Sequence, residues 1–344
     1  MGLLQFILIS YFSVCGFAYS ELPRIEPQTP LVITTEDQAR VSLFHYPGKN
    51  RRQPPIILFP EIGTNHQVFD LPSSGGLAPY LSRKGRDVWV VEFRGPGSGP
   101  RDWSLDELLG YDFPQALARV GTETRQKKLD LIALGLGGTL LLEYLSSSPN
   151  PDPGIEKIIL INSPSSTQAA NQAVKIWADK APGLAAGDKS ELIDLQKTCQ
   201  APAPWPATPG TLFHLLFWGP IADEKTEAEI CQSVFESIPP GLAKQLARWV
   251  ETGTLSSRDG KRNYLVNLKN IRTPVLFLSG QLDNFAPPWE AEFAYRAISS
   301  EKKKIRVFGR ANRYQKEYGH LDLILGEDAF REVYPYIFNW LKDS

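Results

Sequence analysis

The stretch Leu129-Asp-Leu-Ile-Ala-Leu-Gly-Leu-Gly-Gly-Thr-Leu-Leu-Leu-Glu-Tyr-Leu145 decides how the rest of the chain is read. Its first residues form an apolar run that ends near Leu134, turns through Gly135-Leu-Gly-Gly138, and continues with helical spacing. A strand, a sharp turn and a helix form the setting of a G-x-S-x-G frame, in which a strained residue at the tip lifts its side chain above a sheet. Here the frame falls on Ala133-Leu-Gly135-Leu-Gly137. The tip residue, Gly135, has no side chain to lift. The layout predicts one fold, and the residue at its centre predicts no ordinary serine chemistry.

Working outward, strand and helix patterns alternate. Residues 31–35 and 39–46 read as a hairpin around Glu36-Asp37, and residues 55–59 as a short apolar strand. A helical stretch at 77–83 leads into a strand at 87–92, and a helix at 105–120 precedes the strand at 129–134. Further strands fall at 157–162, 274–279 and 304–308, with helices near 289–298 and 329–341. Apolar strands alternating with helices predict an α/β fold built on a mostly parallel sheet covered on both faces. Eight strands are expected, the first pair antiparallel.

Residues 164–270 interrupt this alternation. They are helical in pattern, broken by loops such as Ala201-Pro-Ala-Pro-Trp-Pro-Ala207, and hold Trp177, Trp205, Trp218 and Trp249 of the eight tryptophans. The run Thr211-Leu-Phe-His-Leu-Leu-Phe-Trp-Gly-Pro-Ile221 is almost wholly apolar. A helical cap inserted after the sixth strand is expected, lying over a pocket at the carboxyl ends of the strands. The expected organisation is a core of residues 21–163 and 271–344 with a cap of residues 164–270.

Composition narrows the function classes. A net charge of −1 gives no electrostatic case for nucleic acid or an anionic membrane surface. Residues 1–20 form an apolar run ending in Ala18-Tyr-Ser20, which fits a small-x-small cleavage rule and predicts a signal peptide with a secreted or periplasmic product. The alternative is an uncleaved anchor, for which the run is short against the about 20 residues of a membrane span. Removing it leaves Cys199 and Cys231. They are either a bridge, worth on the order of 3–4 kcal/mol for a loop of this size, or two separate buried thiols. Neither lies in a metal-binding or C-x-x-C spacing, so no metal or cofactor is expected.

Six stretches in order carry a resemblance to the α/β-hydrolase superfamily, in its lipase/esterase branch that includes the acid lipases. They are residues 58–70, 85–98 and 111–114, the turn at Gly135, Ser279-Gly-Gln-Leu-Asp283-Asn-Phe-Ala-Pro-Pro288, and Tyr318-Gly-His320-Leu-Asp-Leu-Ile-Leu-Gly-Glu-Asp. The resemblance implies a triad in the chain order nucleophile, acid, histidine. Asp283 matches the acid and His320 the histidine, a pairing in which the carboxylate fixes the imidazole tautomer and stabilises the imidazolium. His45, His66 and His214 lie outside such frames.

The resemblance breaks at two places. Gly135 supplies no nucleophile; Thr139 is four residues on with its hydroxyl expected elsewhere, and Ser163 reads as a loop residue. Where the family shows His-Gly after the third strand, this chain has Pro60-Glu61. The backbone N–H groups of Ile62 and Leu136 still suit an oxyanion hole, but a carboxylate at Glu61 is unfavourable there unless it turns outward. The leading expectation is an exported hydrolase-like protein without catalysis that binds an apolar or acyl-bearing ligand, with Glu61, Phe217 and Trp218 as contacts. The alternative is an ester- or lipid-class hydrolase in which the His320–Asp283 dyad acts as a general base without a covalent intermediate, using room opened at Gly135 and assisted by Glu61.

Overall fold

The computed structural model describes residues 24–50, 52–148, 154–165, 192–199, 215–218 and 224–343. Residues 1–20, where a signal peptide is expected, and Trp177, Trp205 and His214 lie outside them. Eight strands form one sheet: β1 (Leu31–Thr34), β2 (Arg40–Tyr46), β3 (Ile56–Phe59), β4 (Val88–Glu92), β5 (Leu129–Leu134), β6 (Ile155–Ile161), β7 (Val275–Gly280) and β8 (Lys303–Phe308). Their spatial order is β1-β2-β4-β3-β5-β6-β7-β8. Strand β2 runs antiparallel to both neighbours, and every pair from β4 to β8 is parallel.

The central strands are apolar because both faces are covered. All residues of β3, β5 and β7 are buried. Each Leu, Ile or Val so buried contributes about 1.5–3 kcal/mol relative to exposure, which is why these runs show no alternation of polar and apolar residues. Helices flank the sheet: α1 (Leu77–Arg83) leads into β4, and α2 (Phe113–Thr124) into β5. The helix expected at 105–120 is present in pieces, Leu105–Glu107, a π-helical turn at Leu108–Asp112, and α2. Arg94, fully buried, holds that turn through Asp112 and ties it to Asp37 between β1 and β2. Burial would disfavour the guanidinium charge, but the two carboxylates reverse this and push its pKa up.

Strand β5 passes directly into α3 (Gly135–Ser147). Leu134 is still extended, with φ −106° and ψ 135°, while Gly135 takes φ 54° in the left-handed region that non-glycine residues enter at a cost. Gly137 brings α3 against the end of β3: a Cβ there would stand 2.2 Å from the Pro60 carbonyl oxygen. The elbow expected from the sequence is formed.

Between β6 and β7 the described residues include α4 (Leu195–Cys199), α5 (Glu224–Ser233) and α6 (Pro240–Thr252). A Cys199–Cys231 disulfide joins α4 to α5. Just after α5 the chain pairs with the loop that follows β3. Asn65 N–H donates to the Val234 carbonyl at 2.9 Å, Glu236 N–H to the Gly63 carbonyl at 2.9 Å, and Asn65 Nδ2 to the Ser233 carbonyl at 2.7 Å. The helical segment is thereby fastened to the loop that carries Glu61. Among the described residues, no helix is long and apolar enough to cross a membrane.

Candidate active site

The carboxyl ends of β3, β5, β7 and β8 bring together Glu61, Gly135, Asp283 and His320. Asp283 follows β7 in a tight turn, where its Oδ1 accepts from the backbone N–H groups of Phe285 at 2.7 Å and Ala286 at 2.8 Å. That leaves Oδ2 for His320 Nδ1, 2.9 Å away. The acid and histidine matched by sequence face each other as the order of their motifs implied. Phe285 lies edge-on against the imidazole, with centroids 4.8 Å apart.

Two residues that sequence reading passed over hold the histidine loop. Asn162, at the end of β6 with φ 47°, donates from Nδ2 to the carbonyls of Gly319 and His320 and accepts at Oδ1 from Gly280 N–H at 2.8 Å. Asp322 accepts from Gly319 N–H at 2.6 Å and from Trp218 N–H at 3.0 Å. Its burial raises the carboxyl pKa to about 6 against these two hydrogen bonds, which lower it. The only sequence signal for either was proximity: Asp322 is two residues past His320, and Asn162 closes an apolar strand with a polar side chain. Phe217 and Trp218 reach this loop through their backbone. The Phe217 side chain is buried, whereas that of Trp218 is 39% exposed.

Glu61 does not take the outward orientation that the sequence reading set as the condition for a working hole. It turns inward and is 5% exposed. Its Oε1 accepts from Ile62 N–H at 2.7 Å and from Leu136 N–H at 3.1 Å, the two backbone donors expected to form an oxyanion hole. Oε2 lies 3.2 Å from the same Leu136 N–H and 2.9 Å from His320 Nε2. The physical reason is Gly135. A Cβ on that residue would fall 1.5 Å from Glu61 Oε2 and 3.0 Å from His320 Nε2. The carboxylate therefore fills the space of the missing side chain, and the room anticipated at Gly135 is taken.

This arrangement fixes the state of His320. Both ring nitrogens face carboxylate oxygens, which when ionised only accept, so both nitrogens donate. Full burial alone would push the imidazolium pKa down, but the charge and hydrogen bond of Asp283, joined by those of Glu61, outweigh it and raise it to about 10. At neutral pH His320 is an imidazolium, with Asp283 on one ring nitrogen and Glu61 on the other.

The remaining sequence candidates lie apart from this chemistry. The Thr139 hydroxyl donates to the Pro164 carbonyl and Ser163 Oγ to that of Ile161. His66 Nδ1 is 2.5 Å from Glu92 Oε2 with its ring stacked on Phe44, and His45 sits between Gln28 and Asp87. Among the described residues no group of three or more His, Cys, Asp or Glu side chains could hold a metal ion.

Comparison with known proteins agrees with the class this geometry defines. The alpha/beta hydrolase fold family matches residues 54–311, and the chain belongs to that family. It is 23% identical over 352 residues to lipase member K of Mus musculus, covering 91% of this chain and 87% of the relative. It is 22% identical to the Homo sapiens lipase member K, covering 95% and 88%. Among solved structures it is similar to a monoacylglycerol lipase of Paleococcus ferrophilus, with a TM-score of 0.58, 16% identity and coverage of 88% and 98%. An esterase from Exiguobacterium antarcticum gives a TM-score of 0.61 at 13% identity, covering 92% and 100%. At these identities the structures speak for the fold, which is the α/β-hydrolase fold with an eight-stranded, mostly parallel sheet.

Proposed function

We propose that this chain is an exported, lipase/esterase-like α/β-hydrolase-fold protein that does not carry out acyl transfer and instead binds an apolar or acyl-bearing ligand beneath a cap formed by residues 164–270. One observation carries the non-catalytic part: Glu61 takes both backbone donors and the space above Gly135 at once. Acyl transfer requires a nucleophile and a hole for the developing oxyanion, and removing triad members leaves only about 10³–10⁴-fold catalysis from hole and binding. Here the hole is engaged as well. The ligand class rests on likeness to proteins named as lipases and esterases and on the apolar run at 211–221.

The competing reading, a water-activating dyad, is favoured by the intact Asp283–His320 hydrogen bond. A general base needs a free lone pair, and His320 Nε2 points its proton at Glu61. The non-catalytic reading is the stronger. Native mass spectrometry of the exported protein is expected to show a bound neutral lipid released by organic extraction, with no turnover over ester, thioester and lactone substrates and no labelling by a fluorophosphonate. Turnover that vanishes in His320→Ala would replace this reading with the dyad hydrolase.

A further inference from the structure

The carboxylate of Glu61 occupies the place of an acyl carboxylate. Oε1 sits between the Ile62 and Leu136 N–H groups, where the oxygen of a bound acyl group would lie, and Oε2 faces His320 Nε2. With Asp283 on the other nitrogen, two acidic side chains face one imidazole in this buried group. A carboxylate entering from a ligand would find these donors engaged and an acidic side chain already at contact distance. An alcohol, ester or other neutral headgroup meets no such repulsion.

We infer that Glu61 is a built-in carboxylate that sets the charge class of the ligand: with it in place the pocket admits neutral headgroups and refuses free acids, and without it the hole and His320 become a receptor for a carboxylate. This inference rests on the proposed apolar ligand for its long-chain arm, but not for its account of the hole. Removing Glu61 frees two backbone N–H donors and the His320 Nε2 donor, which together face the two oxygens of one carboxylate. Hydrogen bonds to a charged group contribute about 1.5–3 kcal/mol each, so recovering even one corresponds to roughly a tenfold to hundredfold change in affinity.

The test uses four probes by isothermal titration, with the His320 ring resonances as a site-specific readout. Acetate and formate reach only the hole; octanoate and octanol add a tail. Wild type should take octanol and bind octanoate at least about tenfold more weakly. Glu61→Ala should gain acetate, formate and octanoate binding with a shift of the His320 resonances. Glu61→Gln, which still fills the hole, should gain none. Equal octanoate and octanol affinity in wild type overturns the inference without recourse to any variant. So does a folded Glu61→Ala protein that ignores acetate and formate. Acetate binding to Glu61→Ala with no long-chain binding to either protein supports the role of Glu61 and removes the apolar pocket.

Discussion

The two halves of this site are built differently. The acid–base half, built on the loops after β7 and β8, keeps its carboxylate–imidazole pair, with Asn162 and Asp322 bracing the histidine loop. The nucleophile–oxyanion half, built on the loops after β3 and β5, has no side chain at Gly135 and holds the Glu61 carboxylate on its backbone donors. The difference teaches that the two departures are one. Glu61 fits only because Gly135 has no Cβ, and the Ile62 and Leu136 N–H groups beside that space are satisfied by Glu61. The kept half serves the altered one: His320 and the backbone donors now hold a residue of the protein in the manner of a substrate group.

The strongest way to break this comparison is to return a side chain to the elbow. Gly135→Ser alone should cost about 4 kcal/mol or more, from overpacking and from a buried carboxylate driven off its partners. In a Glu61→Gly background the same substitution should cost at least about 2 kcal/mol less, read as coupling in urea unfolding. Additive effects within about 0.5 kcal/mol would mean that the two positions are independent.

A second test acts on the altered half from outside. The loop carrying Glu61 pairs with residues 234–236, three residues beyond Cys231 at the nearest, and the disulfide closes a sequence separation of 32. Replacing both cysteines by serine should lower stability by about 3–4 kcal/mol. Hydrogen exchange should then quicken at Asn65 and Glu236 more than at Leu321 and Leu325 beyond the histidine. Uniform quickening would argue that the halves are not mechanically distinct.

The smallest effect is a pH dependence that joins the halves. The folded chain binds the His320 proton more tightly than the ordinary value of 6.5 implies. That stabilisation is complete below pH 6.5 and disappears as pH rises towards about 10. Thermal unfolding of wild type should therefore weaken over that window, and Glu61→Gln should narrow it from the upper end. An unchanged profile would place the whole shift with Asp283.

Much of this was legible in the chain itself. The apolar strands at 129–134 and 274–279 and the frames around Asp283 and His320 bring their residues together by topology, so order in sequence was enough. The π-helical turn was not legible, because Leu108-Leu-Gly-Tyr-Asp112 carries no local signal distinct from an α-helix. Nor was the fate of Glu61. Read alone, a carboxylate beside an oxyanion hole is repelled by the charge that catalysis would develop there. The inference reverses only when Gly135, 74 residues away, is seen to have emptied the same volume. Asn162 acts through backbone groups of the loops after β7 and β8, and Asp322 through the amide of remote Trp218 besides that of Gly319 in its own loop, contacts with no residue-type pattern to reveal them.

The measurement that tests the central claim most directly is fluorophosphonate labelling of three proteins: wild type, Gly135→Ser, and Gly135→Ser combined with Glu61→Gly. Labelling needs an activated serine and a free oxyanion hole together. The account predicts no labelling of wild type, little or none of the single variant, and clear labelling of the double variant at the new serine. Labelling of the single variant as fast as the double one would contradict it, since Glu61 would then be no occupant of the site.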